Sequence, residues 1–200
     1  MSTAFQIGPR DHGRRIALAE FMAGDFAPGS RYELVDGRLY VTPAAHYPHA
    51  YLVRYVHRLL LAYCLRRPDV FNTVETHARV FVPGMQRVTA VEPDLAVYRG
   101  LPAGANLSWQ DISPFVVAEV MGGEDDAKDL VRNVDLYWRV PSIQEYWIFD
   151  AREDADRPTL LVHRRENDRW GVSTYPFGAV YTTPLLPEFS LPVDPQAEGA

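Results

Sequence analysis

The chain has 200 residues, 47% of them hydrophobic and 23% charged, with a formal net charge of −6. That suits a single domain with a real core and argues against a surface coated in basic groups for tight nucleic-acid binding. Nothing approaches the roughly 18 continuous apolar residues that span a membrane, no secretory signal is evident, and the lone cysteine, Cys64, excludes an internal disulfide and fits the cytoplasm.

Residues 1–14 read as a flexible arm, 15–193 as one domain and 194–200 as a polar tail. Ile16 to Met22 suits a short helix. Two alternating runs then meet at Asp36-Gly37, a pair that favours a type I′ hairpin turn. Alternation puts Tyr32, Leu34 and Asp36 on one face, and Arg31, Glu33 and Val35 on the other. His46 and His49 fall in a loop bracketed by Pro43 and Pro48. From Ala50 to Arg67, Leu52, Val53, Val56, Leu59, Leu60, Tyr63 and Cys64 recur at helical spacing, and Pro68 ends the pattern. Arg54 and Arg58, four apart, project together from that helix.

Phe71 to Val82 predicts one strand. In the next strand Asp94, Ala96 and Tyr98 alternate with Leu95 and Val97. After a polar connection, Phe115 to Met121 is an apolar run of the kind found in a strand covered on both faces, interrupted by Glu119. Beyond Gly122-Gly123, an acidic start with Asp125 or Asp126 as cap opens a helix over 126–140. Ile143 to Asp150, Thr159 to Arg164 and Trp170 to Tyr175 complete the strands. The expected architecture is α/β. A mixed central sheet holds the Glu33 hairpin and the strands of Asp94, Glu119 and Trp147, flanked by the two helices.

Three carboxylates, Glu33, Asp94 and Glu119, stand on strand-like segments among apolar neighbours. A buried carboxylate must be protonated, paired or metal-bound. Hard divalent cations take oxygen ligands, and Mg²⁺ commonly uses one or two carboxylates with waters and a phosphate oxygen. A plainer reading has Asp94 at an ordinary strand start and Glu33 paired with Arg31 or Arg38. The arginines cluster between Arg38 and Val88, and Lys128 is the sole lysine. Arg54 and Arg58 are candidates for a nucleic-acid path, or simply a solvated helix face. Tyr137, Trp138, Tyr146 and Trp147 read as core or interface aromatics.

The ordered segments YELVDG (32–37), His49 before an apolar helix, PDLAV (93–97), VVAEV (116–120), DLVRNVDLY (129–137), IQEYWIFD (143–150) and TPLLPEFSLPV (183–193) carry a family signature. Together they resemble the Uma-type putative restriction endonucleases of bacteria, within the PD-(D/E)xK nuclease superfamily. The resemblance implies a restriction-endonuclease-like fold and a Mg²⁺- or Mn²⁺-dependent endonuclease acting on DNA. Asp94 and Glu119 would be metal ligands, Glu33 a further acidic site residue, and His49 would line the site at a phosphate.

Two positions depart from the pattern. The superfamily lysine falls on Met121. In the Uma-type family it commonly moves to the following helix, where Asn133 stands here. Asn133 can orient water or phosphate but carries no charge. Lys128 and Arg132 are the neighbouring cations and the candidates to stand in for the missing charge, Lys128 in catalysis with Asn133 and Arg132 at the nucleic acid, although at about 100° per residue both point away from Asn133 on an α-helix. Two alternatives therefore stay open: a nuclease-like binding module with impaired chemistry, and a structural homodimer built on the aromatic end of the helix.

Overall fold

Strand patterning resolves into two main sheets, not one. The computed structural model describes residues 6–44, 46–102, 104, 107–122 and 128–197. A six-stranded sheet runs in the order Arg169–Tyr175, Thr159–Glu166, Glu145–Asp150, Val116–Met121, Leu95–Tyr98, Thr73–Thr76. Val116–Met121 and Glu145–Asp150 are parallel and every other neighbour is antiparallel. The mixed α/β expectation holds.

The placement of the Glu33 hairpin needs correction. Ser30–Val35 and Arg38–Pro43 belong to a separate four-stranded sheet with Ala90–Val91 and Val80–Phe81. The predicted strand from Phe71 to Val82 breaks at His77, whose φ of 65° is left-handed. A residue there cannot continue a pleated strand. Thr73–Thr76 therefore joins the large sheet and Val80–Phe81 the small one. The chain returns through Glu92-Pro93-Asp94, which links Ala90–Val91 to Leu95–Tyr98. Pro93 has no N–H to carry a ladder across. The hairpin turn itself is as expected, with φ of 47° at Asp36 and 72° at Gly37.

The long helix spans Tyr47–Arg66. It starts before Pro48, because the first turn needs no N–H from that residue. His49 is thus on the first turn of a helix rather than in a loop, while His46 precedes the helix and is exposed. The helix packs Leu52, Val56, Leu59 and Leu60 against Leu95, Val97, Val116, Ala118 and Val120 of the large sheet. On the opposite face Ala96, Tyr98, Val117, Met121 and Ile148 lie under Leu136 and Tyr137. Both faces are covered, which is why the Glu119 strand reads as a continuous apolar run.

The predicted 126–140 helix is described from Lys128 onward. It opens with a π turn, Lys128–Arg132, and continues as the α-helix Asn133–Trp138. Gly123, Asp125 and Asp126 lie outside the described residues. The described part of the arm is docked, contrary to the flexible reading. Gln6–Ile7 pairs with Asp25–Phe26, Ile7 is buried, and the Gly13 N–H donates to Leu39 O (2.7 Å). The C-terminal segment is pinned along the long helix by three hydroxyls: Tyr63 donates to Pro187 O, Tyr55 to Pro192 O and Tyr51 to Pro195 O. No helix of the described residues is long and apolar enough to cross a membrane.

Glu145 is a fully buried carboxylate that sequence reading passed over. It accepts from Trp147 Nε1 (2.9 Å), Arg164 Nε (2.8 Å), Tyr181 Oη (2.7 Å) and Thr183 Oγ1 (2.7 Å). Its four donors tie the sheet to the C-terminal segment, so its role is structural. Glu145→Ala is expected to cost about 3–5 kcal/mol, the usual penalty for breaking a buried charged network. Urea denaturation would show that loss, with divalent-cation binding by the folded protein unchanged.

Candidate metal and nucleic-acid site

The register of the large sheet brings the first two acids together. Leu95 stands opposite Ala118, so one step further Asp94 meets Glu119. The Asp94 N–H donates to Glu119 Oε2 (3.3 Å), and the Val120 N–H donates to Asp94 Oδ2 (2.7 Å). Residues 25 positions apart are thereby locked side by side, both nearly sealed from solvent at 2% and 1% exposure.

Asp94 has two further partners. His49 Nε2 donates to Oδ2 (3.0 Å), and Arg31 Nη1 sits 2.5 Å from Oδ1. Burial opposes its ionisation, but the His49 hydrogen bond and the Arg31 guanidinium outweigh that and hold the carboxyl well below the usual range. Glu119 behaves oppositely. Oε1 accepts from Asn133 Nδ2 (3.0 Å) and Tyr137 Oη (3.0 Å), both neutral donors. Burial dominates and raises its pKa well above the usual value, with the nearby Asp129 and Asp94 charges adding to the rise and Lys128 opposing it. A carboxylate in that condition is one a cation would stabilise.

Glu33 lies across the gap from the small sheet. Both faces of its strand are covered: Tyr32 and Leu34 pack with Ile7, Phe21 and Leu39, and Glu33 points the other way. Its partners are neither Arg31 nor Arg38. Arg132 Nη2 donates to Oε2 (2.6 Å), the Glu92 N–H donates to Oε1 (3.1 Å), and Lys128 Nζ is 3.8 Å from Oε1. Burial is overcome by the two cations, and its pKa is lowered.

The cations correct the helical-wheel argument. A π turn closes i→i+5 hydrogen bonds, so it widens the turn and brings residues five apart onto one side. Lys128 and Asn133 are five apart and both face the acids. Burial works against the Lys128 ammonium, yet Glu119, Glu33 and Asp129 keep it charged and raise its pKa. Arg132 also turns inward, with Nε donating to Asn133 Oδ1 (3.0 Å). Met121, at the superfamily lysine position, is buried beneath Leu136 and Tyr137 and offers no charge.

Arg54 lines the cavity that opens onto Asp94. Arg58 does not; it is exposed one turn further along the helix. Sequence reading missed Arg31, Asp129 and Tyr137 as site residues. A signal existed for each. Arg31 shares the Glu33 strand face, and Asp129 and Tyr137 stand four residues either side of Asn133. Tyr137 and Tyr146 are core aromatics with a polar task, since Tyr146 Oη donates to Asp129 O (3.0 Å). Trp138 is faced within the chain by Trp170 and by the Arg165 guanidinium, so that helix end is already covered.

With this geometry in place, a family model described as Uma2, putative restriction endonuclease, matches residues 18–194. The chain belongs to the Uma2 family. A crystal structure titled as a putative nuclease belonging to DUF820, from Anabaena variabilis, superposes with a TM-score of 0.65 at 16% identity. The match covers 89% of this chain and 95% of that one, and shows a shared fold. A search of curated proteins returned no match.

Uma2 membership makes a divalent ion the group to test against these side chains. Among the described residues no three His, Cys, Asp or Glu side chains form a ready cage. Glu33 is held by Arg132 and Lys128, so the three-acid arrangement expected from sequence reduces to two acids. Two are enough for Mg²⁺, which keeps several waters and draws further oxygens from substrate phosphate. Asp94 Oδ1 is buried with the Arg31 guanidinium against it, a contact that an entering divalent ion would replace, and Glu119 has no guanidinium partner among the described residues. The donor chemistry fits.

Asp129 gives the cluster a pH signature. Burial, reinforced by Asp94 and Glu33 against Lys128, raises its pKa from 3.8 to about 6. A raised carboxyl contributes stability that is full below pH 4 and lost as pH rises through 6. Removing this titration with Asp129→Asn is expected to flatten the decline between pH 4 and 7. The difference from the parent should change by on the order of 1–3 kcal/mol across that window, read by thermal melts at each pH.

Proposed function

We propose that this Uma2 protein is a DNA endonuclease that depends on Mg²⁺ or Mn²⁺ held by Asp94 and Glu119. The observation that carries the reading is their pairing across the sheet, two buried acids joined through main-chain N–H groups beside a cationic cavity. When bound, a divalent ion would lower the pKa of water and neutralise charge developing on a phosphodiester.

The chain's own groups do the rest. His49 and Val120 N–H fix the Asp94 carboxylate in orientation. Tyr137 and Asn133 fix Glu119. Lys128, kept charged by the surrounding acids, supplies the cation that the superfamily places two residues after the glutamate. Glu33 acts as a positioning residue: it anchors Lys128 and Arg132 on the same side as Asn133. Arg31 stands at the Asp94 end of the cavity, where it can bind a phosphate oxygen.

The test is cleavage of a plasmid and of a single-stranded DNA circle by purified protein, with Mn²⁺ and with chelator. Metal-dependent cleavage that disappears in Glu119→Gln is expected. Cleavage that survives that change would exclude the assignment. The rival reading, a nuclease-like binding module, draws on Met121 and the uncharged Asn133. It predicts an inert parent that gains cleavage in Asn133→Lys.

A further inference from the structure

The cavity of about 820 Å³ beside Asp94 carries information about substrate form. Its walls come from three places: the Ala27–Tyr32 edge of the small sheet, the start of the long helix from His49 to Arg54, and Thr76 to Arg79. Arg31, Arg54 and Arg79 face it, against Glu92 and Asp94. In a chain of net charge −6 this is a local excess of guanidinium.

Arg79 is the informative member. It is half-buried, its guanidinium stacked over Phe21 at 4.5 Å and Phe26 at 5.5 Å. Among the described residues its side chain has Met22 Sδ at 3.4 Å as a polar contact and forms no ion pair. The Glu92 carboxylate in the same cavity acts on it only from beyond ion-pair distance, so its burial is incompletely offset, and a phosphate would relieve it. Arg54, stacked over Tyr47 at 5.4 Å, likewise has no carboxylate partner among the described residues. Trp109 forms the far wall. It is half-buried and shared with a second cavity of about 410 Å³ lined by Asn72, Leu101 and Ile112.

We infer that this cleft takes an unpaired strand of nucleic acid, with backbone phosphates on Arg79 and Arg54 and one base stacked on Trp109. A positive groove with an aromatic platform is how single strands are held. In a paired helix the bases are stacked on each other and unavailable to Trp109, so a duplex gains less from this cleft. The inference rests on the nuclease reading only for what happens at Asp94, and its test does without the metal.

Fluorescence anisotropy in chelator would compare a short labelled oligothymidine, the matching RNA and a duplex of equal length. Either single strand should bind at least about tenfold tighter than the duplex. Trp109→Ala should cost about fivefold or more, with Trp109→Phe restoring affinity. Arg79→Ala should flatten the salt dependence by roughly 0.7 in log–log slope, and Arg79→Lys should recover it. Equal or tighter duplex binding, an unchanged salt slope in Arg79→Ala, or full competition by inorganic polyphosphate would overturn the inference. Metal-dependent cleavage with duplex preference sinks this inference alone. Single-strand preference without cleavage sinks the nuclease reading alone.

Discussion

Lys128→Met is expected to cut metal-dependent cleavage by about 10²–10³-fold, the usual cost of removing one preorganised charge from a phosphoryl or acyl transition state. The side chain keeps most of its length and an apolar stem, so the π turn has no steric reason to change. The ammonium faces Glu33, Glu119 and Asp129 together. Its loss leaves a more negative cluster, which should hold Mn²⁺ as tightly as the parent or more so. Calorimetry and nicking should therefore diverge: binding kept, turnover lost. Arg132→Met should be milder, about tenfold, because its contacts are Glu33 and Asn133 and it acts through them. Parental turnover in Lys128→Met would show that the superfamily lysine has no successor here.

The Asp94 pair of variants separates chemistry from stability. Asp94→Ala removes the acceptor shared by His49 and the Val120 N–H and strands Arg31 in a half-buried position. Breaking such a pair costs about 3–5 kcal/mol, which in a chain of this size lowers the thermal midpoint by on the order of 10 °C. Asp94→Asn keeps an oxygen for the main-chain donor but still takes the charge from Arg31 and His49, so its midpoint should fall too, by less than that of Asp94→Ala. Both should lose Mn²⁺ binding and cleavage together. Retained calorimetric Mn²⁺ binding in the well-folded Asp94→Asn would move the ion to other residues.

The two acids that matter most illustrate how far local pattern reaches. Glu119 is conspicuous because it interrupts an apolar run, and Asp94 because it follows a proline at the head of a strand. Yet Glu145 is as deeply buried as either and is consumed by four donors. Burial of a carboxylate alone does not separate a working acid from a structural one. What separates them is the supply of donors, and those come from residues 2 to 38 positions away. Lys128 shows the same limit on a helix. Fixed rotation per residue turns it away from Asn133, and one turn of π-helix brings it to the same side.

From the chain alone came the element types, the Asp36-Gly37 turn, the apolar faces of the long helix, the family and the short list of acids. Each is written in near neighbours, through alternation, helical spacing or a motif. Only the folded molecule decided that the strands divide into two sheets, that Glu33 neutralises Lys128 and Arg132, and that Arg31 and Tyr137 belong to the site. Those outcomes turn on one left-handed residue at His77, one widened helical turn, and hydrogen bonds between distant segments. Backbone geometry of that kind is set by the competition among tertiary contacts, which no local window contains.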